Sequence, residues 1–236
     1  MPEEINRVLT DHCANILFCP TQNAVDNLQA EGITNTLSLA HPLPRTVALV
    51  GDTMYDAVLQ FSKIARNQST ILEALGIKSK EYLLATVHRP YNTDIPENLE
   101  SILSAFLEIN EPIIFPVHPR TRQYLMNLNS KFKTHHINLI SPVGYLDMLM
   151  LEQNAKAILT DSGGIQKEAY FFGVPCITMR TETEWVETVE AGWNVIVGAD
   201  RGKIVEAVRC LKSDNPRPEL YGDGKAAKKI IQHLTD

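Results

Sequence analysis

The chain has 236 residues, of which 44% are hydrophobic and 21% charged, and its formal net charge is −6 at pH 7. This composition excludes disordered and collagen-like classes, and the acidic balance argues against a nucleic-acid partner, which would require clustered Lys and Arg. No apolar run approaches the roughly 20 residues of a membrane span, and the acidic start MPEE is unlike a signal peptide. We therefore expect a globular protein of the cytoplasm without a membrane partner.

Residues 1–45 differ in pattern from the rest of the chain. A helix is predicted from Glu3 to Cys13, a strand at residues 16–19, a helix cap at Thr21 and a further strand at residues 36–39. Two closely spaced prolines then restrict the backbone and break the pattern. We place a domain boundary near Pro44.

Seven short apolar runs follow, separated by longer amphipathic stretches. Apolar runs of this length, bounded by Pro, Gly or Asp, are typical of strands that are covered on both faces. Their alternation with helices predicts right-handed βαβ units and an α/β fold with a Rossmann-like parallel sheet, whose ligands bind at the carboxyl ends of the strands. The runs are residues 47–50, 82–87, 112–117, 137–140, 157–160, 175–179 and 195–197.

One of the predicted helices is defined by its start and by its apolar face. Pro96 lies in the first turn, where its missing N–H costs nothing, and Asp94 or Ile95 is expected near the cap. The apolar residues at helical spacing are Ile95, Leu99, Ile102, Leu103 and Phe106.

The four cysteines are widely spaced and lie in or beside apolar segments. This pattern favours reduced, buried thiols over a disulfide framework, a metal site or a catalytic nucleophile. They are Cys13, Cys19, Cys176 and Cys210.

The stretch TDSGGIQKEA places two glycines between a predicted strand and a predicted helix start. Gly163 and Gly164 permit either φ > 0 or a close approach of the backbone to a ligand. N–H groups at a helix N-terminus bind anions such as phosphate, and Glu168, one turn further on, can accept two hydroxyl hydrogen bonds, as from a ribose. The alternative is an ordinary strand-to-helix turn with Asp161 or Ser162 as the cap.

Basic residues follow three other predicted strands. His88 and Arg89 follow one strand, His118 and Arg120 another, and Arg180 a third. Because the carboxyl ends of parallel strands meet at one edge of a sheet, these side chains can offer donors to a single anion.

These basic clusters also have structural alternatives. Arg89 could cap a surface helix or pair with Asp94. The acidic run after Arg180 could be the solvated face of a helix that ends at Gly192, with Arg180 and Glu184 as the exceptions that we expect to contact a ligand.

Together, in this order and at these strand ends, the segments resemble the non-hydrolysing UDP-N-acetylglucosamine 2-epimerases. DSGGIQKEA is similar to the family's DSGGIQEEA signature, with Lys167 where the family usually has Glu. TVHRPYNTDIPENL is similar to its HR-x-EN segment, with Pro90 and Tyr91 replacing the usual pair. VHPRTR, MRTETEWVETVEAGWN, GDTMYDAV, YGDGKA and PEEINR also have counterparts, so the resemblance covers essentially the whole chain.

This resemblance implies a two-domain fold of the GT-B type, with the active site between two Rossmann-like halves. It also implies the interconversion of UDP-GlcNAc and UDP-ManNAc without a redox cofactor or a metal. UDP is eliminated to leave a 2-acetamidoglucal and is added back after carbon 2 has changed configuration. Residues 46–236 would form the UDP-binding second domain, and residues 1–45 a remnant of the first.

The resemblance also assigns contacts to UDP, position by position. Ser162, Gly163 and Gly164 would hold phosphate oxygens, Glu168 the ribose hydroxyls and His88 the diphosphate. Further implied contacts are Arg7, Arg89, Val143, Tyr145, Arg180 and Glu184.

Two of these contacts, Val143 and Tyr145, would lie beside the uracil, and catalytic roles are implied for Glu3 and His88. Family members carry a further amino-terminal segment with a glycine-rich loop and two acidic residues for proton transfer. We therefore expect this chain to bind UDP weakly and to epimerise poorly.

Three alternatives stay open at this point. A non-catalytic UDP-sugar-binding module would share the nucleotide site, a GT-B glycosyltransferase would share the fold, and the hydrolysing epimerases, which release free ManNAc, share the motifs. The apolar face of residues 1–45 must be buried against the second domain or against a second copy of the chain. A homodimer is therefore a further expectation.

Overall fold

The computed structural model describes residues 2–35, 45–118, 121, 122, 125, 135–210 and 215–235. The chain divides into two compact units, Met1–Leu59 with Pro218–Asp236, and Gln60–Arg217. In chain order the described elements are α1 (Pro2–Cys13), β1 (Ile16–Cys19), α2 (Gln22–Ala30), β2 (Thr46–Leu49), α3 (Thr53–Gln68), α4 (Ile71–Leu75), β3 (Leu83–Thr86), α5 (Pro90–Thr93), α6 (Pro96–Glu108), β4 (Ile113–Pro116), β5 (Ile137–Ile140), α7 (Tyr145–Asn154), β6 (Ala157–Thr160), α8 (Gly163–Phe172), β7 (Cys176–Thr178), α9 (Val186–Glu190), β8 (Asn194–Ile196), α10 (Arg201–Arg209) and α11 (Ala226–Thr235).

The first unit contains a small parallel sheet of β1 and β2, with Ile16 opposite Thr46. The predicted first helix and strand are confirmed, and Thr21 caps α2 by accepting a hydrogen bond from the Ala24 amide at 3.3 Å. Leu17, Cys19, Leu28 and Ile33 form its buried cluster. The strand expected at residues 36–39 and the boundary expected near Pro44 lie outside the described residues.

The first unit also includes the carboxyl-terminal segment, whereas the sequence pattern assigned everything after residue 45 to one second domain. β2 follows the expected boundary but pairs with β1. Asp56 accepts hydrogen bonds from the Ala226 amide at 3.0 Å and the Ala227 amide at 2.8 Å, at the start of α11. The division falls between Leu59 and Gln60, within α3.

The second unit contains a parallel sheet with the strand order β5-β4-β3-β6-β7-β8 among the described residues. All seven apolar runs predicted as strands are strands, the first of them β2 and the others in this sheet. The order runs outward from β3 in one direction and from β6 in the other, which is the doubly wound arrangement of a Rossmann-like fold. The predicted α/β class is therefore confirmed.

Both faces of the larger sheet are covered, which explains its uninterrupted apolar strands. Leu83 and Ala85 pack with α6 and α10 on one face, and Leu84 packs with α7 and α8 on the other. The predicted apolar face of α6 is buried at Leu99, Ile102, Leu103 and Phe106, but Ile95 is 38% exposed because it is the N-cap, outside the helix.

Two expectations about cysteine burial were wrong. Cys19 and Cys176 are buried as expected, but Cys13 and Cys210 are exposed because each lies at the carboxyl end of a surface helix. All four thiols are free. Within the described ranges, no helix has the length and apolar character needed to cross a membrane.

Candidate functional site

The carboxyl ends of β3 and β6 lie side by side at the point where the strand order reverses. Thr86 and Thr160 are register partners, and their buried hydroxyls are hydrogen-bonded at 2.6 Å. The Ser162 amide donates to Thr160 Oγ1 at 3.0 Å. In open α/β sheets, ligands bind in the crevice at this position.

The first turn of α8 starts at this crevice. Ser162 is the N-cap, and its hydroxyl accepts a long hydrogen bond of 3.5 Å from the Ile165 amide. Neither Gly163 nor Gly164 has a positive φ, so the left-handed alternative is wrong and both residues follow the helical path. The amide groups of this turn and the helix dipole create a positive potential suited to a phosphate.

Asp161 joins this turn to the loop after β3. Its side chain is fully buried, and its carboxylate accepts from the His88 amide at 3.1 and 3.0 Å and from the Arg89 amide at 2.9 Å. Asn92 Nδ2 donates to Asp161 at 3.1 Å and to the Met179 carbonyl at 2.8 Å. One carboxylate therefore fixes the loop that follows β3 against the ends of β6 and β7.

His88 lies at the same edge with its side chain 36% exposed. Its Nδ1 is 3.2 Å from Asp161 Oδ1. The imidazole of His88 therefore lies beside the buried Asp161 carboxylate at this edge of the sheet. The His118 ring lies 6.0 Å away, centroid to centroid, so the strand ends of β3 and β4 each bring an imidazole to this edge.

Arg180 and Glu184 form a two-pronged ion pair in the loop after β7. The Arg180 guanidinium donates to both Glu184 oxygens at 2.9 Å, and its side chain is 15% exposed while that of Glu184 is 54% exposed. These hydrogen bonds lower the pKa of Glu184, with a smaller contribution from the charge of Arg89. The arrangement holds the Arg180 charge at the edge of the sheet.

The same loop is fastened to α8 by polar contacts. Trp185 Nε1 donates to the Gly163 carbonyl at 2.8 Å, and Thr183 Oγ1 donates to Gln166 Oε1 at 2.6 Å. The Lys167 ammonium lies 4.2 Å from the centre of the Trp185 ring. Position 167, where the sequence departs from the resembled signature, thus contributes to holding the loop.

Glu168 lies further along α8 and is almost completely buried, with 6% exposure. Tyr145 Oη donates to Glu168 Oε1 at 3.3 Å. Burial raises the pKa of Glu168 to about 6, although the hydrogen bond from Tyr145 acts in the opposite direction. Glu152 on α7 likewise acts to lower the pKa of Glu168.

A cavity of about 160 Å³ opens at the carboxyl ends of β3 and β4, beside the loop after β5, α7 and α8. His88, Val143 and Ile165 contribute to its wall, while Tyr145 instead contacts Glu168 and the Phe61 ring, 5.8 Å away. A larger cavity of about 450 Å³ lies between β8 and α10. We take the smaller cavity as the candidate site because it adjoins the strand reversal and the polar groups described above. Its lining residues are Thr86, Val87, His88, Pro116, His118, Pro142, Val143, Met148 and Ile165.

Two residues singled out in the sequence lie in the first unit. Glu3 and Arg7 are both on α1. The Arg7 guanidinium is paired with Glu4 at 2.9 Å, Asp11 at 2.8 Å and Glu31 at 2.9 Å.

Sequence reasoning missed several residues that organise the site. Asp161 was considered only as a cap, yet an acidic residue directly after a buried strand was a usable signal. Glu187 was grouped with solvated glutamates but is 7% exposed. Glu152, Gln166 and Trp185 had no local signal, because their contacts depend on tertiary packing.

The sequence profile of the family described as UDP-N-acetylglucosamine 2-epimerase matches residues 1–235. The chain belongs to this family.

Individual members of the UDP-N-acetylglucosamine 2-epimerase family align with nearly the whole chain. A UDP-N-acetylglucosamine 2-epimerase homolog of Methanococcus maripaludis is 53% identical over 99% of the chain and 64% of its own length. A UDP-2,3-diacetamido-2,3-dideoxy-D-glucuronate 2-epimerase of Pseudomonas aeruginosa is 45% identical over 99% of the chain and 63% of its own length. This chain therefore spans less than two thirds of the length of these family members.

A solved family structure has a similar fold. The crystal structure of the Methanocaldococcus jannaschii UDP-GlcNAc 2-epimerase, in complex with UDP-GlcNAc and UDP, superposes with a TM-score of 0.83 at 42% identity. The match covers 100% of this chain and 65% of that one.

Proposed function

We propose that the second unit binds the UDP part of a UDP-sugar and that the protein functions as a UDP-GlcNAc 2-epimerase. The observation that supports the proposal is that His88 and the N-terminus of α8, the helix that carries Glu168, both lie at the strand reversal between β3 and β6. A 42% identical family structure contains UDP-GlcNAc and UDP, which supports the same ligand class here.

In this proposal, different residues of the site contact different parts of the nucleotide. Ser162 and the amides of Gly163 and Gly164 bind phosphate oxygens, and His88 binds the diphosphate. The Glu168 carboxylate accepts hydrogen bonds from the ribose hydroxyls.

The surrounding charges and the small cavity complete the proposed binding site. Arg89 and Arg180 contribute positive charge near the diphosphate, with Glu184 holding Arg180 in place. The cavity wall at Val143 receives the uracil, and Tyr145 acts through its hydrogen bond to Glu168.

These groups suit a reaction in which UDP is the leaving group. A general base takes the proton from carbon 2, the C2–H electron pair forms the C1=C2 double bond of a 2-acetamidoglucal, and the C1–O bond breaks with its electrons leaving on UDP. UDP then adds back to carbon 1, and a proton adds to carbon 2 from the opposite face. Negative charge develops on the departing diphosphate, so oriented amides and cations stabilise the transition state.

We further propose that the 236-residue polypeptide, assayed alone, binds UDP but epimerises poorly. Its span of 64% of a relative's length supports this, because proton transfer at carbon 2 needs groups within hydrogen-bond reach. A catalytic role for Glu3, a UDP contact for Arg7, a homodimer and a cytoplasmic location also stay predictions.

Calorimetric titration with UDP tests the binding site. Glu168→Gln keeps the shape of the side chain but removes its charge, and we expect at least a tenfold loss of UDP affinity, since hydrogen bonds to charged groups contribute about 1.5–3 kcal/mol. Glu206→Gln on the exposed face of α10 is the matched control and should bind UDP like the wild type. Equal affinities for the wild type and Glu168→Gln would contradict the proposed site.

Product analysis by NMR tests the reaction. UDP-ManNAc formed from UDP-GlcNAc identifies the epimerase, free ManNAc a hydrolysing enzyme, and transferred sugar a glycosyltransferase, while binding without turnover identifies a binding module. Turnover as fast as that of a full-length relative would disprove the expected impairment.

The identity of the sugar has a second candidate. The relative that acts on a UDP-2,3-diacetamido-2,3-dideoxy-D-glucuronate is 45% identical, slightly above the 43% of the M. jannaschii UDP-GlcNAc enzyme. Titration with both nucleotide sugars under the same conditions distinguishes them, since the preferred sugar should bind more tightly.

A further inference from the structure

Glu152 is an acidic residue in an apolar environment. It lies on α7, is 0% exposed, and is flanked along the helix by the buried Leu149 and Leu151. Across the part of the chain that the structure describes, no N–H or O–H group donates to either of its carboxyl oxygens. An ionised carboxylate in such a place would lose its hydration without compensation, so the neutral, protonated form is strongly favoured.

The carboxyl of Glu168 on α8 acts on Glu152: after burial, the charge of Glu168 and then a side-chain hydrogen bond between the two residues raise the pKa of Glu152. Two carboxylates in contact repel each other, whereas a carboxyl and a carboxylate can share one proton. The negative charge of the pair is more stable on Glu168 than on Glu152. The Glu168 side chain is 6% exposed, accepts a hydrogen bond from Tyr145 at 3.3 Å and lies beside the charge of Lys167.

Other titratable groups around Glu152 do not supply its hydrogen bond. Tyr82, which precedes β3, donates its hydroxyl to the Leu151 carbonyl at 2.6 Å. Cys176 on β7 contacts the Thr178 hydroxyl at 3.8 Å. Burial is the main cause of the raised pKa of both side chains, and the nearby Glu152 adds to it. Neither side chain therefore donates a hydrogen bond to Glu152.

We propose that Glu152 is a positioning residue whose protonated carboxyl donates a hydrogen bond to Glu168 and holds that carboxylate ionised and oriented for the ribose hydroxyls. The ribose part rests on the proposed UDP site. The carboxyl pair itself exists without nucleotide and can be measured separately.

The proposal predicts a particular dependence of UDP binding on pH. Glu168 must be ionised to accept two hydroxyl hydrogen bonds, and its pKa is about 6. UDP affinity should therefore rise by up to tenfold per pH unit below about 6 and level off above it. Without a hydrogen-bond donor at position 152, the pH at the midpoint of this rise in UDP affinity should be higher, because that hydrogen bond favours the ionised form of Glu168.

The first test is NMR titration of ¹³C-labelled glutamate carboxyls in the nucleotide-free chain, with the signals assigned by Glu152→Gln and Glu168→Gln. We expect Glu168 to titrate near pH 6 and Glu152 to stay protonated while Glu168 ionises. A Glu152 carboxyl that ionises in the ordinary range, about 4 to 5, would overturn the proposal whether or not UDP binds.

The second test measures UDP affinity against pH for Glu152→Leu, Glu152→Gln and the control Gln153→Leu on the same helix. Leucine cannot donate a hydrogen bond, so we expect Glu152→Leu to lose UDP affinity at least tenfold at pH 7. The midpoint of its affinity–pH curve should also lie at a higher pH than in the wild type. Glutamine can donate through its amide and should recover most of that loss, while the control should match the wild type.

The outcomes separate the two proposals. Wild-type affinity and midpoint in Glu152→Leu would overturn the positioning role. A wild type that does not bind UDP would overturn the UDP site and with it the ribose role, and the NMR titration would still decide the carboxyl pair.

Discussion

Asp161 carries much of the local organisation of the site as a single residue. It is buried and accepts four hydrogen bonds or close contacts from the loop after β3, including two backbone amides and Asn92. Because these donors come from a segment about seventy residues earlier in the chain, the carboxylate stabilises tertiary structure and the position of His88 at the same time.

Replacement of Asp161 by Asn should reduce the free energy of unfolding by about 2–3 kcal/mol, since the amide nitrogen of Asn would face N–H donors. Urea denaturation measures this effect, and UDP affinity should fall with it. Asp200→Asn is the control, because Asp200 caps α10 through the Lys203 amide and Asn caps equally well. Similar stability losses in both variants would argue against a special role for Asp161.

The buried carboxyl pair also predicts how stability depends on pH. The pKa of Glu168 is raised from 4.5 to about 6, and that of Glu152 is raised well above its ordinary value, in both cases chiefly by burial. Between pH 4.5 and about 6, Glu168 makes the folded protein bind more protons than the unfolded chain. The free energy of unfolding should therefore fall as the pH rises through about 6. Glu168 alone accounts for about 2 kcal/mol of this loss.

Denaturation curves between pH 4 and 8 measure this dependence. The slope should be shallower in Glu168→Gln, which has no titrating group at that position. A wild-type stability that rises steadily across this interval would show that other groups dominate.

At the scale of elements, α9 ends in a turn that requires glycine. Gly192 has φ +71°, its amide donates to the Val189 carbonyl at 2.9 Å, and the Trp193 amide donates to the Thr188 carbonyl at 3.0 Å. This is the Schellman motif, in which the residue after the helix takes the left-handed conformation. The turn ends the helix that follows the Arg180–Trp185 loop.

Gly192→Ala should destabilise the protein by about 1–2 kcal/mol, because alanine is strained at positive φ and its Cβ would lie 2.5 Å from Asn215 Nδ2. Gly202→Ala is the matched control, since Gly202 lies in the first turn of α10 without a positive φ and should be neutral or slightly stabilised. Thermal unfolding of both variants gives the comparison, and the same sign of change in the two would refute the strain argument.

At the scale of the whole molecule, the carboxyl-terminal segment Pro218–Asp236 belongs to the first unit, together with Met1–Leu59. Asp56, on α3, accepts the first two amides of α11 and serves as a cap from a distant part of the sequence. The Phe18 and His233 rings are 5.9 Å apart, which places α11 against β1.

Asp56→Ala should therefore release α11. We expect a loss of about 1–2 kcal/mol, typical of a helix cap together with its dipole interaction, and faster proteolytic cleavage within Ala226–Thr235. Asp223→Ala removes an exposed ion pair with Lys229 and should leave the cleavage rate unchanged. Equal rates for all three proteins would contradict the capping role.

Much of the fold was predictable because its strands are buried on both faces. Such strands give short apolar runs that stand out in the sequence, and all seven runs became strands. The order of the strands was not predictable, because pairing of β3 with β6 depends on the packing of segments far apart in the chain. The return of α11 to the first unit was missed for the same reason.

The placement of His88 after β3 and of Ser162 after β6 was predictable, because a motif follows each of these strands in the sequence. The contacts of Glu152 and Trp185 were not, because both residues lie within helical or loop segments that look ordinary in sequence. Burial and contact, which only the structure shows, give these two residues their importance.

The pairing of β3 with β6 has a consequence for synthesis of the chain. Thr86 and Thr160 become neighbours only after β6 has been made, and β4, β5 and α7 are all synthesised between them. Asp161, which secures His88, follows later still. During translation, β3 therefore lacks its partner β6 until that strand has emerged, and the proposed nucleotide site is completed late.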